Sequence, residues 1–344
     1  MAFVASVLST VDISDAGVSS GTFDVVVVVT FAVNVASVLS KVDISDAVVS
    51  SGTSDVVIVV TFDVNVGSVL SKVDISDTVV SSGTSDVVVV VAFVVNVTSV
   101  LPKVDISEAV VSSGTSDVVV LVIFVANVPS VLSKVDISDT VVSSETSDVV
   151  IVVPFDVNVA SVLSNVDISD TVVSSETFDV VVVVIFVASV ASVLFKVDTS
   201  VVVVSPGTSD VAVVVTFSVN VASVLSKVDI SVAVVSSGTS DMVVLVIFVA
   251  NVASVLSKVD ISVAVVSSGT SDVVVVVTFD INVASVLSKV DISDTVVSSG
   301  TSDVVVVVTF DVNVASVLSK VDISDAVSSV VSNMTFSIVV EPVK

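Results

Sequence analysis

Residues 35–65 read V-A-S-V-L-S-K-V-D-I-S-D-A-V-V-S-S-G-T-S-D-V-V-I-V-V-T-F-D-V-N, and what decides the fold is that this stretch recurs. Copies begin at Val4, Val35, Val66, Val97, Val128, Val159, Val190, Val221, Val252, Val283 and Val314, each 31 residues from the last, with no insertion or deletion between them. A fixed period of this length marks a repeat architecture in which each unit buries its apolar face against the next. The array spans residues 1–327 as a single unit; the pattern slips near Ser328 and leaves 328–344 as a degraded last copy and C-terminal tail.

Inside a copy the alternation has period two, the spacing of a half-buried strand. Val69, Ser71, Val73 and Ile75 fall on one face, and Leu70, Lys72, Asp74 and Ser76 on the other. In the second half, Val56, Ile58, Val60, Phe62 and Val64 point one way, with Phe62 inward, and Val57, Val59, Thr61, Asp63 and Asn65 point the other. The inward parity is expected to flip at Gly67 and Ser68, where other copies carry Ala36, Thr98 or Pro129, as at a corner. The run S-S-G-T-S-D from Ser50 to Asp55 is the other corner.

Valine's branched Cβ restricts χ1 in helices and packs well on a pleated surface, so a Val-rich repeat punctuated by Ser, Thr and Asp is all-β. The predicted fold is a parallel β-solenoid with 31-residue coils, the alternative being an antiparallel β-meander of tandem hairpins. The rigid period favours coils stacked at ~4.8 Å, a rod of about 50 Å. Against the meander, Glu145 and Glu176 replace the turn glycine in two copies, so a primed turn with positive φ is not required there. Against both, Pro154 falls in mid-strand and removes a ladder hydrogen bond.

Composition closes off most chemistries. The chain has 344 residues, 10 Lys+Arg against 36 Asp+Glu for a net charge of −26, and no His, Cys, Trp or Tyr. Arg and Gln are also missing, and roughly a third of the residues are Val. Without His and Cys, the usual general base, metal ligand and thiolate nucleophile are gone, and cysteine usage carries no information on compartment. Without Arg, and with a strongly negative field, nucleic acid and anionic membrane surfaces are repelled, so no nucleic-acid partner is expected. The one catalytic pair the alphabet permits, Ser-Lys as in Ser40-Lys41, places adjacent strand residues on opposite faces, so the chain is read as no enzyme.

Val180–Phe195 and Met242–Ser257 are uncharged, but too short and too Val-rich for spanning helices, and they recur at the phase of Asp-interrupted segments. They read as buried strands, and no membrane span is expected. An outer-membrane barrel of two strands per copy lacks the Tyr and Trp of the usual girdles. Met1–Thr10 has no basic n-region and no distinct h-region, so no signal peptide is read and localisation stays open, with a surface location requiring another export route. Asn96-Val97-Thr98 and Asn333-Met334-Thr335 match the glycosylation pattern, the first through a single Thr substitution in one copy.

The acidic columns are the remaining candidates. Asp12 recurs in every copy to Asp322, and Asp24 recurs to Asp303. Stacked coils place such like charges ~4.8 Å apart, an interaction of about 1 kcal/mol per neighbour in water. Lys41 and its equivalents, two residues before the first column and on its face, offset part of this. Since lysines are fewer than acids, the sharper expectation is Ca²⁺ bridging carboxylates at the corners: Asp46, Asp77 and Asp294 in one set, Asp55, Asp86 and Asp303 in the other.

The runs 25–29, 87–91, 180–184, 273–277 and 304–308 are five apolar residues each, candidates for steric zippers with Asp24, Asp86, Asp179, Asp272 and Asp303 as gatekeepers. Neither end reads as a polar cap, so self-association through coil ends is expected. The functional expectation is a non-enzymatic structural or surface-interaction scaffold, acidic and cation-stabilised. The alternatives are a translated tandem DNA repeat with no selected function and a self-assembling β-fibre former.

Overall fold

A computed structural model of the chain describes residues 2–340 apart from 22–23, 53–54, 84–85, 98, 114–116, 129, 144–147, 175–178, 206, 208–209, 271, 302, 315–316 and 330–332. Almost all of it is strand, as the β-branched composition dictates. Each coil contributes one strand to a front sheet, such as Val56–Val66, Val87–Val97 and Val118–Val128, and one to a back sheet, such as Val69–Gly83, Val100–Ser113 and Val131–Ser143. The first two strands, Ala2–Gly21 and Val25–Gly52, each run continuously through both sheets.

Every ladder among the described residues is parallel and joins a strand to its counterpart in the next coil, as in Phe62 to Phe93 and Asp74 to Asp105. The chain is therefore a parallel β-solenoid of ~31-residue turns. Parallel pairing excludes the meander, which needs antiparallel neighbours. The last strand, Asn333–Val340, pairs Asp303 with Asn333, one residue short of the repeat, where the sequence pattern slips. Among the described residues no helix is long and apolar enough to cross a membrane.

The front sheet follows the expected parity. Val56, Ile58, Val60, Phe62, Val64 and Val66 are all buried and their odd-numbered neighbours face outward. Eight phenylalanines from Phe62 to Phe279 form one buried stack along the axis, with successive ring centroids 4.5–5.5 Å apart and planes within 16° of parallel. The coil rise sets that spacing, which lies within the range of offset-stacked rings.

The back sheet departs from the expected parity. Leu70 is buried, whereas Val69 is only half-buried and Ser71 is exposed; inward positions then continue at Val73, Ile75, Asp77, Val79 and Ser81. The phase change therefore lies at Ser71-Lys72 inside the strand, and not at the Gly67-Ser68 corner. The ladders show the cause, because Leu39 pairs with Leu70 and Lys41 with Lys72 while Ser40 and Ser71 are skipped. The same column is skipped at Ser164 and Phe195. This is an in-register kink repeated coil after coil, a position outside the ladder on both strands, and it explains why the position accepts Pro102, which has no N–H to offer, and Phe195, which is 50% exposed.

Pro154 is accommodated on one side only. Its strand keeps register with the following coil through Ile185–Pro154, but the ladder to the preceding coil omits Val153 and Pro154 and resumes at Phe124–Phe155. At the second corner, Gly238 and Gly269 adopt φ of 140° and 134°, and a Cβ at Gly269 would lie 2.0 Å from the Gly238 carbonyl oxygen. The backbone therefore requires glycine at Gly238 and Gly269, whereas the same position holds glutamate in two other copies. Pro129, Glu145 and Glu176 lie outside the described residues.

Candidate functional site

The solenoid converts each acidic position into a column, and the three columns have different environments. The first stands on the outer face of the back sheet. Lys41 pairs with Asp43, Lys72 with Asp74, and the pattern continues to Lys320 with Asp322, each lysine donating to the aspartate two residues on. Two residues apart on a strand is the same face, so this pairing follows from the pleat. The hydrogen bond to Asp43 is the main cause that holds the Lys41 ammonium above its ordinary value, and its counterpart lowers Asp291 through Lys289. One coil breaks the pattern, since Asn165 replaces lysine beside Asp167. Burial pushes that carboxyl up, against the pull of Lys196 from the next coil.

The second column lies where the chain enters the front sheet. Each aspartate is exposed, and its Oδ1 accepts the backbone N–H of its counterpart one coil later: Asp55 donates to Asp24, Asp86 to Asp55, and so on to Asp303 donating to Asp272, at 3.3–3.4 Å. Beside each, the valine that opens the strand donates to the next aspartate's carbonyl, as in Val56 to Asp86 at 2.8 Å. The carboxylate thus caps an N–H at the end of the ladder, the local side-chain role for which Asp is suited.

The third column is inside. Asp46, Asp77, Glu108, Asp139 and Asp170 occupy five successive coils at 2%, 2%, 3%, 1% and 0% exposure. Their register is continuous, Asp46 to Asp77 to Glu108 to Asp139 to Asp170. The column then becomes Val201, Val232 and Val263, all buried, before returning to acid at Asp294. Neither carboxyl oxygen of Glu108, Asp139 or Asp170 has a hydrogen-bond partner. A carboxylate in apolar surroundings resists ionisation, and like charges one coil away add to this. Burial pushes Asp170 up to about 7, and burial together with the Asp46 charge does the same for Asp77. Glu108 and Asp139 are driven well above the carboxylate range by burial first and by their acidic neighbours second.

The predicted calcium residues are therefore split. Asp55 and Asp86 stand outside at the corner, as does Asp303, each with its backbone N–H donated to the preceding coil's carboxylate. Asp46, Asp77 and Asp294 are not corner residues at all but lie mid-strand in the core, because Asp77 shares the parity of Val73 and Ile75. The two sets do not meet, and among the described residues no three acidic side chains converge as a metal ion needs. The interior column was within reach of the sequence, since alternation from Ile75 to Val79 passes through Asp77 and three copies carry Val at this position.

A groove of about 1050 Å³ runs along the first corner from Asn127 to Val314, lined by Asn, Val, Ala and Ser. Its asparagines form a ladder, Asn282 donating to Asn251 at 3.2 Å and Asn251 to Asn220 at 3.1 Å, so each amide spends one donor and one acceptor on its neighbours. The lining holds no titratable group. Comparison of the chain with protein-family models, with curated proteins and with solved structures gives no match.

Proposed function

We propose that the chain is a non-enzymatic structural scaffold, an acidic β-solenoid whose role is to be a rod with a regular surface. The observation that carries this reading is the uniformity of the chemistry. Lysine–aspartate pairs, capping aspartates and asparagines recur coil after coil, and among the described residues no coil gathers different groups at one point as catalysis requires. Open coil edges at the two ends supply unpaired backbone groups, so end-to-end association belongs to this reading. Cations enter as counter-ions to the exposed aspartate column. In a far-UV circular dichroism melt, calcium chloride and sodium chloride at matched ionic strength are expected to raise the Tm of one cooperative β transition alike. A rise specific to calcium and reversed by chelator would overturn the counter-ion role, and a broad, non-cooperative change would overturn the scaffold.

A second reading, a translated tandem DNA repeat without selected function, draws support from the interior acids. Asp and Val codons differ by one base, and a column that mixes the two inside an apolar core is what an untailored repeat leaves behind. Differences between copies at the nucleotide level separate the two readings: an excess of synonymous changes supports the scaffold, and its absence supports the untailored repeat.

A further inference from the structure

The two outer faces of the solenoid are unlike. The back face carries the lysine–aspartate pairs. The front face carries no lysine; its outward positions are Val57 and Val59 with their equivalents every 31 residues, apolar in every coil. Beside them the central coils add Ile123, Ile185 and Ile247, then Val125, Val187 and Val249. These side chains stand half-buried by the neighbours above and below or exposed, with no element among the described residues packed over them. Acid reaches this face at its margin, as Asp63, Asp156, Asp280 and Asp311.

We propose that this front face is a self-association surface on which a second copy of the chain seats face to face. Its size supports that occupant. From Val26 to Val305 the strip covers nine coil steps, about 43 Å at ~4.8 Å each, and three columns with their side chains are roughly 18 Å across. The resulting footprint of roughly 700 to 900 Å², two of its columns apolar throughout and the third Thr in five of ten coils, matches the ~800 Å² each partner contributes to a standard stable interface. Branched side chains in columns one coil apart form ridges that a like surface fills, with sheets ~10 Å apart. A second copy also fits better than an anionic lipid surface, which a chain of charge −26 repels.

The sequence specifies the register as well. The outward isoleucines are symmetric about Ile185, with Ile123 and Ile247 two coils to either side. A two-fold axis along the strands at the Val180–Val190 coil sets Ile185 against itself and Ile123 against Ile247, with the rods antiparallel. It also sets Asp156 against Ser218 and Asp280 against Val94, so the one like-charge pair that meets is Asp63 with Asp311, four coils from the axis at the margin of the face.

Sedimentation and light scattering test the pairing on the full chain. The native protein is expected at twice the 34.7 kDa chain mass, and the triple variant Leu121→Lys, Val183→Lys, Leu245→Lys at the monomer mass with an unchanged dichroism spectrum. A native monomer, or a triple variant that keeps the native mass, would overturn the proposal, as would capture of the native chain by phosphatidylcholine vesicles in place of dimerisation; higher masses from coil-end association persist in the triple variant and are told apart by it. Should the triple variant misfold, the cysteine-free background allows a second test. Ile185→Cys alone is expected to cross-link into dimers with a short bis-maleimide, Thr309→Cys alone is not, and Thr61→Cys mixed with Thr309→Cys is. Cross-linking by Thr309→Cys alone, or none by Ile185→Cys, contradicts the antiparallel pair.

Discussion

Asp170 and Val201 occupy the same inward position in adjacent coils, in register and equally buried. One backbone site therefore accepts both an acid and a hydrocarbon, and the difference in cost can be stated. Asp170 titrates near 7 in the fold against an ordinary 3.8. Each unit is worth about 1.4 kcal/mol, so holding this one carboxyl in the core costs about 4 kcal/mol at pH 8. Asp170→Val, which extends the valine run already present, is expected to stabilise the chain by at least that much at pH 8 and by much less at pH 5; chemical denaturation at the two values measures both. Acids are rarely buried unpaired, which is why a reading by residue type sends Asp46, Asp77 and Asp294 to the surface corners. The alternation around them, Val73, Ile75, Asp77, Val79, says otherwise, and it prevails because a strand has only two faces.

At the scale of the element, the front strands were fully legible, since strict alternation from Val56 to Val66 leaves one arrangement. The back strands were legible only in part. Two consecutive outward residues at Ser71 and Lys72 leave no mark in hydropathy that distinguishes a kink within a strand from a corner, and Ser is at home in both. Pro102 in that column was the available clue, because proline is confined to positions outside the ladder. Pro154 has no such shelter, and its strand loses pairing with the preceding coil around it. Pro154→Thr, the residue found at Thr61 and Thr216, is expected to restore that pairing and stabilise by about 1 kcal/mol. Slower amide exchange from Val152 to Phe155 together with a raised Tm would show it, and unchanged exchange would place the break elsewhere.

At the scale of the molecule, the 31-residue period sets the coil, the parallel register and the columns together, so architecture was readable from spacing alone. What spacing does not carry is the direction in which a column faces, and that separates a capping ladder from a surface ion-pair ladder and both from an acid ladder in the core. The interior column also gives the whole rod an unusual response to pH. A carboxyl whose folded pKa is raised binds its proton more tightly in the native state, so its contribution is fully present below about 4 and is lost as pH rises through about 7. Like charges one coil apart make Glu108, Asp139 and Asp170 titrate together.

Thermal unfolding followed by far-UV circular dichroism at pH 5.0 and pH 8.0 tests the inward acid column within a parallel β-solenoid most directly. The expected result is one cooperative β transition with a Tm at least about 6 °C higher at pH 5.0, Asp77 and Asp170 alone supplying roughly 2 to 3 kcal/mol each over that interval. A Tm equal at the two values, or higher at pH 8.0, would mean that these acids face water and that the strands are not arranged as described.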